Sequence, residues 1–204
     1  MLYRCRLLLA AIPVVVLVGA ACWLAAGDAP APVATLPPAP PPEKAAATVR
    51  DFGAAGDGVA DDTAAIQRAV DSGIGDIRLP RGNYRITRPI VVDLDKVGPA
   101  SIVGTGTARI VMAGPGPAFQ LVGTHFKSAD PAGFEENVWL RQRMPLVEGI
   151  IIAGDHPEAV GIEAVGTMEL TVTRVHVRAC LHAVHLVQNN RNVTIADCHL
   201  YENR

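Results

Sequence analysis

The sequence predicts an all-β solenoid, a single-chain parallel β-helix preceded by one short α-helix. Three observations carry this. Short apolar runs of strand length recur along the chain, separated by Gly, Asn and Pro. The last runs repeat every 23 residues, so that Leu170, Val172, Val175 and Val177 fall on Val193, Ile195, Cys198 and Leu200. Only 63–72 has helical spacing, with Ala65, Ile66, Ala69 and Val70 on one side. A coil of this kind buries its inner face only against its neighbours, so matched apolar positions are what stacking requires.

Composition narrows the class. The 204 residues carry a net charge of −2 and are half hydrophobic, which argues against a nucleic-acid partner, since that would need a basic stripe. Four cysteines are too few for a disulfide scaffold. The period sets Cys198 over Val175, so Cys180 and Cys198 are expected as core thiols.

The front of the chain reads as a leader. Arg4 and Arg6 precede an apolar run over 7–24, and Ala25-Ala26-Gly27 follow. Residues 1–27 are therefore expected to be a secretory signal or, given the length of the run, a retained membrane anchor. Cys22 after Gly19-Ala20-Ala21 raises lipidation as an alternative. Residues 28–44 are a Pro-rich spacer, and 45–204 form the folded domain. The expected location is outside the cytoplasm: secreted, periplasmic or held to the envelope, with the N-terminal segment against a membrane.

The domain opens with VRDFGAAGDGVADDTAAIQRAVDSG over 49–73. Gly53, Gly56 and Gly58 permit tight turns with positive φ. Asp61 and Asp62 stand where a carboxylate takes free helix N–H groups, so they are expected to start the helix and not to catalyse. Gly73 is placed to stop it. Strand-length runs follow at 77–79, 90–94, 102–103, 110–112, 119–122, 150–152, 170–177, 184–187 and 193–200. Residues 124–145 interrupt the repeat as a loop insertion.

DFGAAGDGVADDTAAIQRAV followed by IRLPRGNYRI resembles the start of the pectate-lyase-like right-handed parallel β-helix proteins. That superfamily includes rhamnogalacturonase-type hydrolases, mannuronan C5-epimerase modules and tailspike-like proteins. The resemblance implies a right-handed coil with a capping helix and a polysaccharide partner. It leaves lyase, hydrolase, epimerase and non-enzyme open, because a fold does not fix a function. It would also allow a calcium cofactor, but no residue pattern here supports one, and no cofactor is expected.

The repeat defines outward positions. With Val175 and Val177 pointing in, Arg174, His176 and Arg178 point out, and Asp197, His199 and Tyr201 take the same places one coil later. The 23-residue step also puts Asp155 in the row of Arg178 and Tyr201. A uronan lyase needs a cation against the sugar carboxylate and a base for the adjacent proton. Arg178, His176, His199, Tyr201 and Asp155 are the catalytic candidates, and Arg174 a substrate-binding one; ordinary surface pairing explains an Arg–Asp row equally well. In the insertion, Trp139, Arg141 and Arg143 are substrate-binding candidates, with Phe126 and Phe134 nearby. The same aromatics would also serve as a small satellite cluster. Cys180, His182 and His185 match no firm zinc spacing, and strict alternation would send His182 and His185 to opposite faces, so no metal site is expected.

No paired carboxylates of hydrolase type stand out, and the chain stops at YENR within a coil. The domain is therefore expected to be the first part of a longer β-helix. The functional expectation is an exported protein that acts on or binds a polysaccharide, an acidic one by its arginines. The alternatives are a non-catalytic glycan-binding or adhesion module and a truncated remnant.

Overall fold

The computed structural model describes residues 46–127, 130, 133 and 135–204. The leader, the spacer, Cys22 and Phe134 lie outside the described residues. The chain divides into Met1–Glu43 and Lys44–Arg204, and all described residues belong to the second unit.

Two sheets are built entirely from parallel pairs. Sheet A holds β1 (Asp57–Asp61), β2 (Asp76–Leu79), β3 (Gly82–Ile86), β5 (Ser101–Met112), β7 (Leu146–Gly154), β9 (Thr171–Thr173), β10 (His176–Arg178), β12 (Thr194–Ala196) and β13 (His199–Tyr201). Sheet B holds β4 (Ile90–Asp93), β6 (Gly116–Val122), β8 (Ala159–Val165) and β11 (His182–Val187). From β3 onward the chain passes from sheet A to sheet B and back; β9 and β10 lie along the two halves of β7, and β12 and β13 lie beside β9 and β10. The runs at 102–103 and 110–112 prove to be one strand, β5, which the pairing to β7 interrupts between Val103 and Ala108.

Identical inward positions stack from coil to coil. Tyr84, Ile110, Ile152, Val177 and Leu200 are in register across β3, β5, β7, β10 and β13. The first four are fully buried and Leu200 is 43% exposed, as are Ile195 and Leu186 to a similar degree on the last rung. Apolar side chains in such a column stabilise only where both neighbours are present, at about 25 cal/mol for each Å² hidden. Cys180 and Cys198 are free thiols in or against this core, as their register predicts.

The helix α1 (Thr63–Asp71) lies against β4 and buries Ala65, Ile66, Ala69 and Val70. Its polar residues close the open edge of the first rung. The Gln67 amide donates to Val91 O at 2.9 Å and accepts from Val91 N at 2.9 Å. The Thr63 hydroxyl accepts from Thr87 N at 2.9 Å. An unpaired strand edge is a template for misassociation, and these side chains occupy it. The helix ends at Ser72, with Gly73 following at φ +69°.

Asp62 corrects the capping expectation. It is the N-cap residue of α1, yet its side chain makes no cap bond. The carboxylate, in a residue only 2% exposed, instead accepts from Ala55 N at 2.6 Å and Gly56 N at 3.0 Å. Gly56 and Gly58 have φ of +65° and +82°, and a Cβ on Gly56 would come within 2.9 Å of the Tyr84 ring. The Gly-rich turn is thus held against the first coil by a buried carboxylate. Asp61 does the helix-starting work, accepting from Thr63 N at 3.0 Å, from the Thr63 hydroxyl, and from the Thr87 hydroxyl at 2.6 Å. Burial opposes ionisation there, but these donors and nearby Arg85 hold the Asp61 carboxyl below the usual carboxylate range.

Candidate functional site

The outward side of sheet A carries two polar columns flanking the inward stack. One runs Asn83, Arg109, Ile151, His176, His199. The other runs Arg85, Val111, Ala153, Arg178, Tyr201. Side chains on adjacent parallel strands stand about 4.8 Å apart, so each column is a row across the sheet, interrupted by Ile151 in the first and by Val111 and the buried Ala153 in the second. The expected pairs His176 with His199 and Arg178 with Tyr201 are both present.

His176 is the centre of this face. Its ring lies 4.8 Å from the Tyr201 ring and 6.4 Å from the His199 ring, centroid to centroid. Its Nε2 is buried with no hydrogen-bond partner among the described residues, and so is Nε of Arg109 in the same column. Burial, and then the positive charges of Arg178, His199 and Arg109, push the His176 pKa down from 6.5. At neutral pH the ring is therefore an uncharged base set among cations. Two unsatisfied buried nitrogens on one row are costly unless a ligand or solvent completes them.

One candidate is not where the constant period put it, and another is in place but differently paired. Asp155 is absent from the row: β7 pairs with β10 at a step of 25, so Ala153 stands beside Arg178. Asp155 lies beyond the strand, its N–H donating to Met112 O at 2.8 Å. Arg174 shares its register position with Asp197, since the flanking strands pair Thr173 with Ala196 and His176 with His199. Both residues sit in left-handed backbone at a corner, with φ of 52° and 53°. The Arg174 guanidinium is paired not with Asp197 but with the Glu148 carboxylate, in a bond from its terminal nitrogen. Its charge is thus already compensated.

The insertion candidates form their own cluster on α2 (Leu94–Val97). Trp139, Arg141 and Gln142 belong to a π-helical turn, Val138–Gln142. Arg141 donates to Lys96 O at 3.2 Å, and Gln142 and Asn137 donate to the Asp95 carboxylate at 3.0 and 2.9 Å. Arg143 lies over the Trp139 ring, 4.7 Å from its centroid, while Trp139 remains 45% exposed. Polar bonds thus dock this turn on α2, and one face of the exposed Trp139 ring is taken by a cation.

Residues 46–144 match the family described as rhamnogalacturonase A/epimerase, pectate lyase-like. Just under half of the chain is thus similar to that family. Among curated proteins it is similar to mannuronan C5-epimerase AlgE5 of Azotobacter vinelandii, 58% identical over 43 residues, which is 19% of this chain and 4% of that protein. It is also similar to alginate lyase 7 of the same organism, 40% identical over 72 residues, 33% of this chain and 8% of that protein. The chain therefore spans less than a tenth of the length of these relatives. Among solved structures, the catalytic unit of the thermostable GH87 alpha-1,3-glucanase of Streptomyces thermodiastaticus matches with a TM-score of 0.51 at 21% identity, over 79% of this chain and 32% of that one. That likeness is one of fold.

Sheet B holds a second polar ladder that the period did not expose. Gln120, Glu163 and His185 are in register on β6, β8 and β11. Gln120 donates to Glu163 Oε1 at 2.8 Å, and Nδ1 of His185 lies 3.0 Å from Glu163 Oε2. His182 and His185 do not diverge as strict alternation required, because their rings are 4.9 Å apart. Alternation holds on β4 but breaks on β6, β8 and β11, where two consecutive residues lie on the less exposed side: Ala118–Phe119, Gly161–Ile162 and the half-buried Ala183–Val184. No three His, Cys, Asp or Glu side chains converge on a metal position among the described residues.

Arg109 was missed by sequence reasoning for a definite cause. The coil from Ile110 to Ile152 is 42 residues long because it contains the insertion, so no fixed period links Arg109 to His176. The signal available was local: Arg109 precedes the inward Ile110 as His176 precedes the inward Val177.

Proposed function

We propose that this domain is a right-handed β-helix that takes an acidic polysaccharide along the outward face of sheet A. The observation that carries the reading is the pair of partnerless buried nitrogens, Arg109 Nε and His176 Nε2, on a row flanked by Arg178. Arg85 adds a further cation to the second column, partly offset by Asp61 beside it. Mannuronan and alginate, named for the relatives, are polymers of uronic acids, and a row of guanidinium groups fits their repeated carboxylates.

In this reading Arg109 and Arg178 hold sugar carboxylates, and the charge they withdraw acidifies the neighbouring C–H. His176 is the uncharged base within that field, with His199 and Tyr201 placed beside it to share or return the proton. Lyase and epimerase chemistry both begin with that abstraction. In the same proposal residues 1–27 are a leader and the domain is exported.

The test is binding of the full chain to polymannuronate and to a neutral glucan over a range of salt. Preference for the acidic polymer, weakening with salt and lost in Arg109→Ala/Arg178→Ala, is expected. Equal binding to both polymers, or no effect of the double substitution in a folded protein, would overturn the proposal. Appearance of unsaturated ends or of epimerised residues in the polymer separates a catalytic face from a binding one.

A further inference from the structure

We propose that His182 and His185, on the outward face of sheet B, form a two-imidazole site for a borderline transition-metal dication of the copper, nickel or zinc class, with Glu163 as positioning residue. The site is on a different sheet from the polysaccharide face and does not depend on that assignment.

Four features point to it. The two rings face outward together, 4.9 Å apart and tilted by 34°. Metal–imidazole bonds of about 2.0–2.1 Å need nitrogens near one another, which rotation of the exposed His182 ring supplies. Second, the tautomer of His185 is fixed. Its Nδ1 donates to Glu163, leaving the Nε2 lone pair directed away from that carboxylate, which is how carboxylate–histidine pairs serve metals. Third, the carboxylate is itself held. Its other oxygen accepts from Gln120, and the Glu163 side chain is only 17% exposed against 43% for His185. Three successive coils thus contribute one residue each to orient a single imidazole at the surface.

The fourth feature is charge. The columns beside the histidines are Pro117, Val160, His182 on one side and Asp93, Val122, Val165, Val187 on the other. Neither they nor the column Val91, Gln120, Glu163, His185 contains Lys or Arg, so nothing in register repels a dication. Water completes the coordination shell. Imidazole donors select copper, nickel and zinc over the hard cations calcium and magnesium.

The experiment titrates the full chain with zinc chloride while the ring nitrogens of all six histidines are followed by NMR. The expected result is one saturable equivalent that shifts His182 and His185, with His185 in the Nδ1–H form before and after. Nickel should compete and calcium should not. Glu163→Gln should weaken binding by about 10–100-fold, and His182→Asn/His185→Asn should abolish the saturable phase. Both histidines stand at the surface, and an unchanged apo thermal midpoint verifies that these variants are folded. Zinc shifts at other histidines only, an unaltered affinity in Glu163→Gln, or equal competition by calcium would each overturn the site.

Discussion

The His176 ring packs against the phenol ring of Tyr201, 4.8 Å between centroids, although the two residues belong to different columns of the ladder. The contact helps to dry the imidazole, and Arg178, His199 and Arg109 surround it with positive charge. All these effects disfavour the imidazolium ion.

A pH dependence of stability follows. The unfolded chain takes up the His176 proton near 6.5, and the folded chain takes it up at lower pH. Between those values the unfolded state binds more protons, so stability is complete above the unfolded pKa and is lost as pH falls through the folded one. Urea denaturation of the parent and of His176→Asn at about pH 8 and about pH 5 should show the parent losing more stability on acidification. Identical losses in the two proteins would remove His176 from the account.

Asp62 and Asp61 should differ in their contributions. Removing the Asp62 carboxylate strands two backbone N–H groups beside a buried position, at a cost of about 3 kcal/mol in Asp62→Ala. Asp61→Ala loses a more exposed helix-starting group, worth about 1 kcal/mol. Urea midpoints should rank them in that order. The reverse order would mean that Asp62 acts chiefly through the helix after all.

The neighbouring coils approach closely at Gly114. A Cβ there would lie 2.0 Å from Thr87 O, a backbone atom that moves only if the coils separate. Gly114→Ala is therefore expected to cost more than about 3 kcal/mol. Gly73→Ala meets no atom within 4 Å and bears only the strain of φ +69°, about 1 kcal/mol. Equal midpoints for the two variants would contradict the packing described here.

How much of this was legible depended on coil length. Between β10 and β13 no residue is inserted, and the 23-residue step placed His176 on His199 and Arg178 on Tyr201 from sequence alone. One coil earlier the step is 25, enough to move Asp155 off the row. One coil before that it is 42, and Arg109 disappeared from view. The pairing of His182 with His185 was hidden differently, by the break in alternation at Ala183–Val184, which leaves no mark in a hydrophobic pattern of small residues. Asp62 had the right position for a cap, and only the fold shows that its carboxylate faces the loop before it.

The turn after β11 supplies the last prediction. Asn190 accepts from Thr167 N at 2.9 Å and the Thr167 hydroxyl at 2.7 Å, and its amide donates to the carbonyls of Ala164, Val187 and Gln188. One coil structure recurs at Asn203, which accepts from Cys180 N at 3.1 Å and donates to Val177 O at 3.2 Å. Asn190 thus joins its own turn to the coil below, and Asn203 likewise bonds to backbone groups of the coil below it. Thr167 is fully buried, so Asn190→Ala leaves both its N–H and its hydroxyl without their partner. A loss of about 3 kcal/mol is expected. Asn190→Asp keeps an acceptor but no donor and brings a charge to the turn, so it should not restore the parent. Hydrogen exchange at the Thr167 amide reports the cause directly: it should accelerate in Asn190→Ala while Ile66 in α1 keeps its protection. Unchanged exchange at Thr167 would show that the coils are joined there by packing alone.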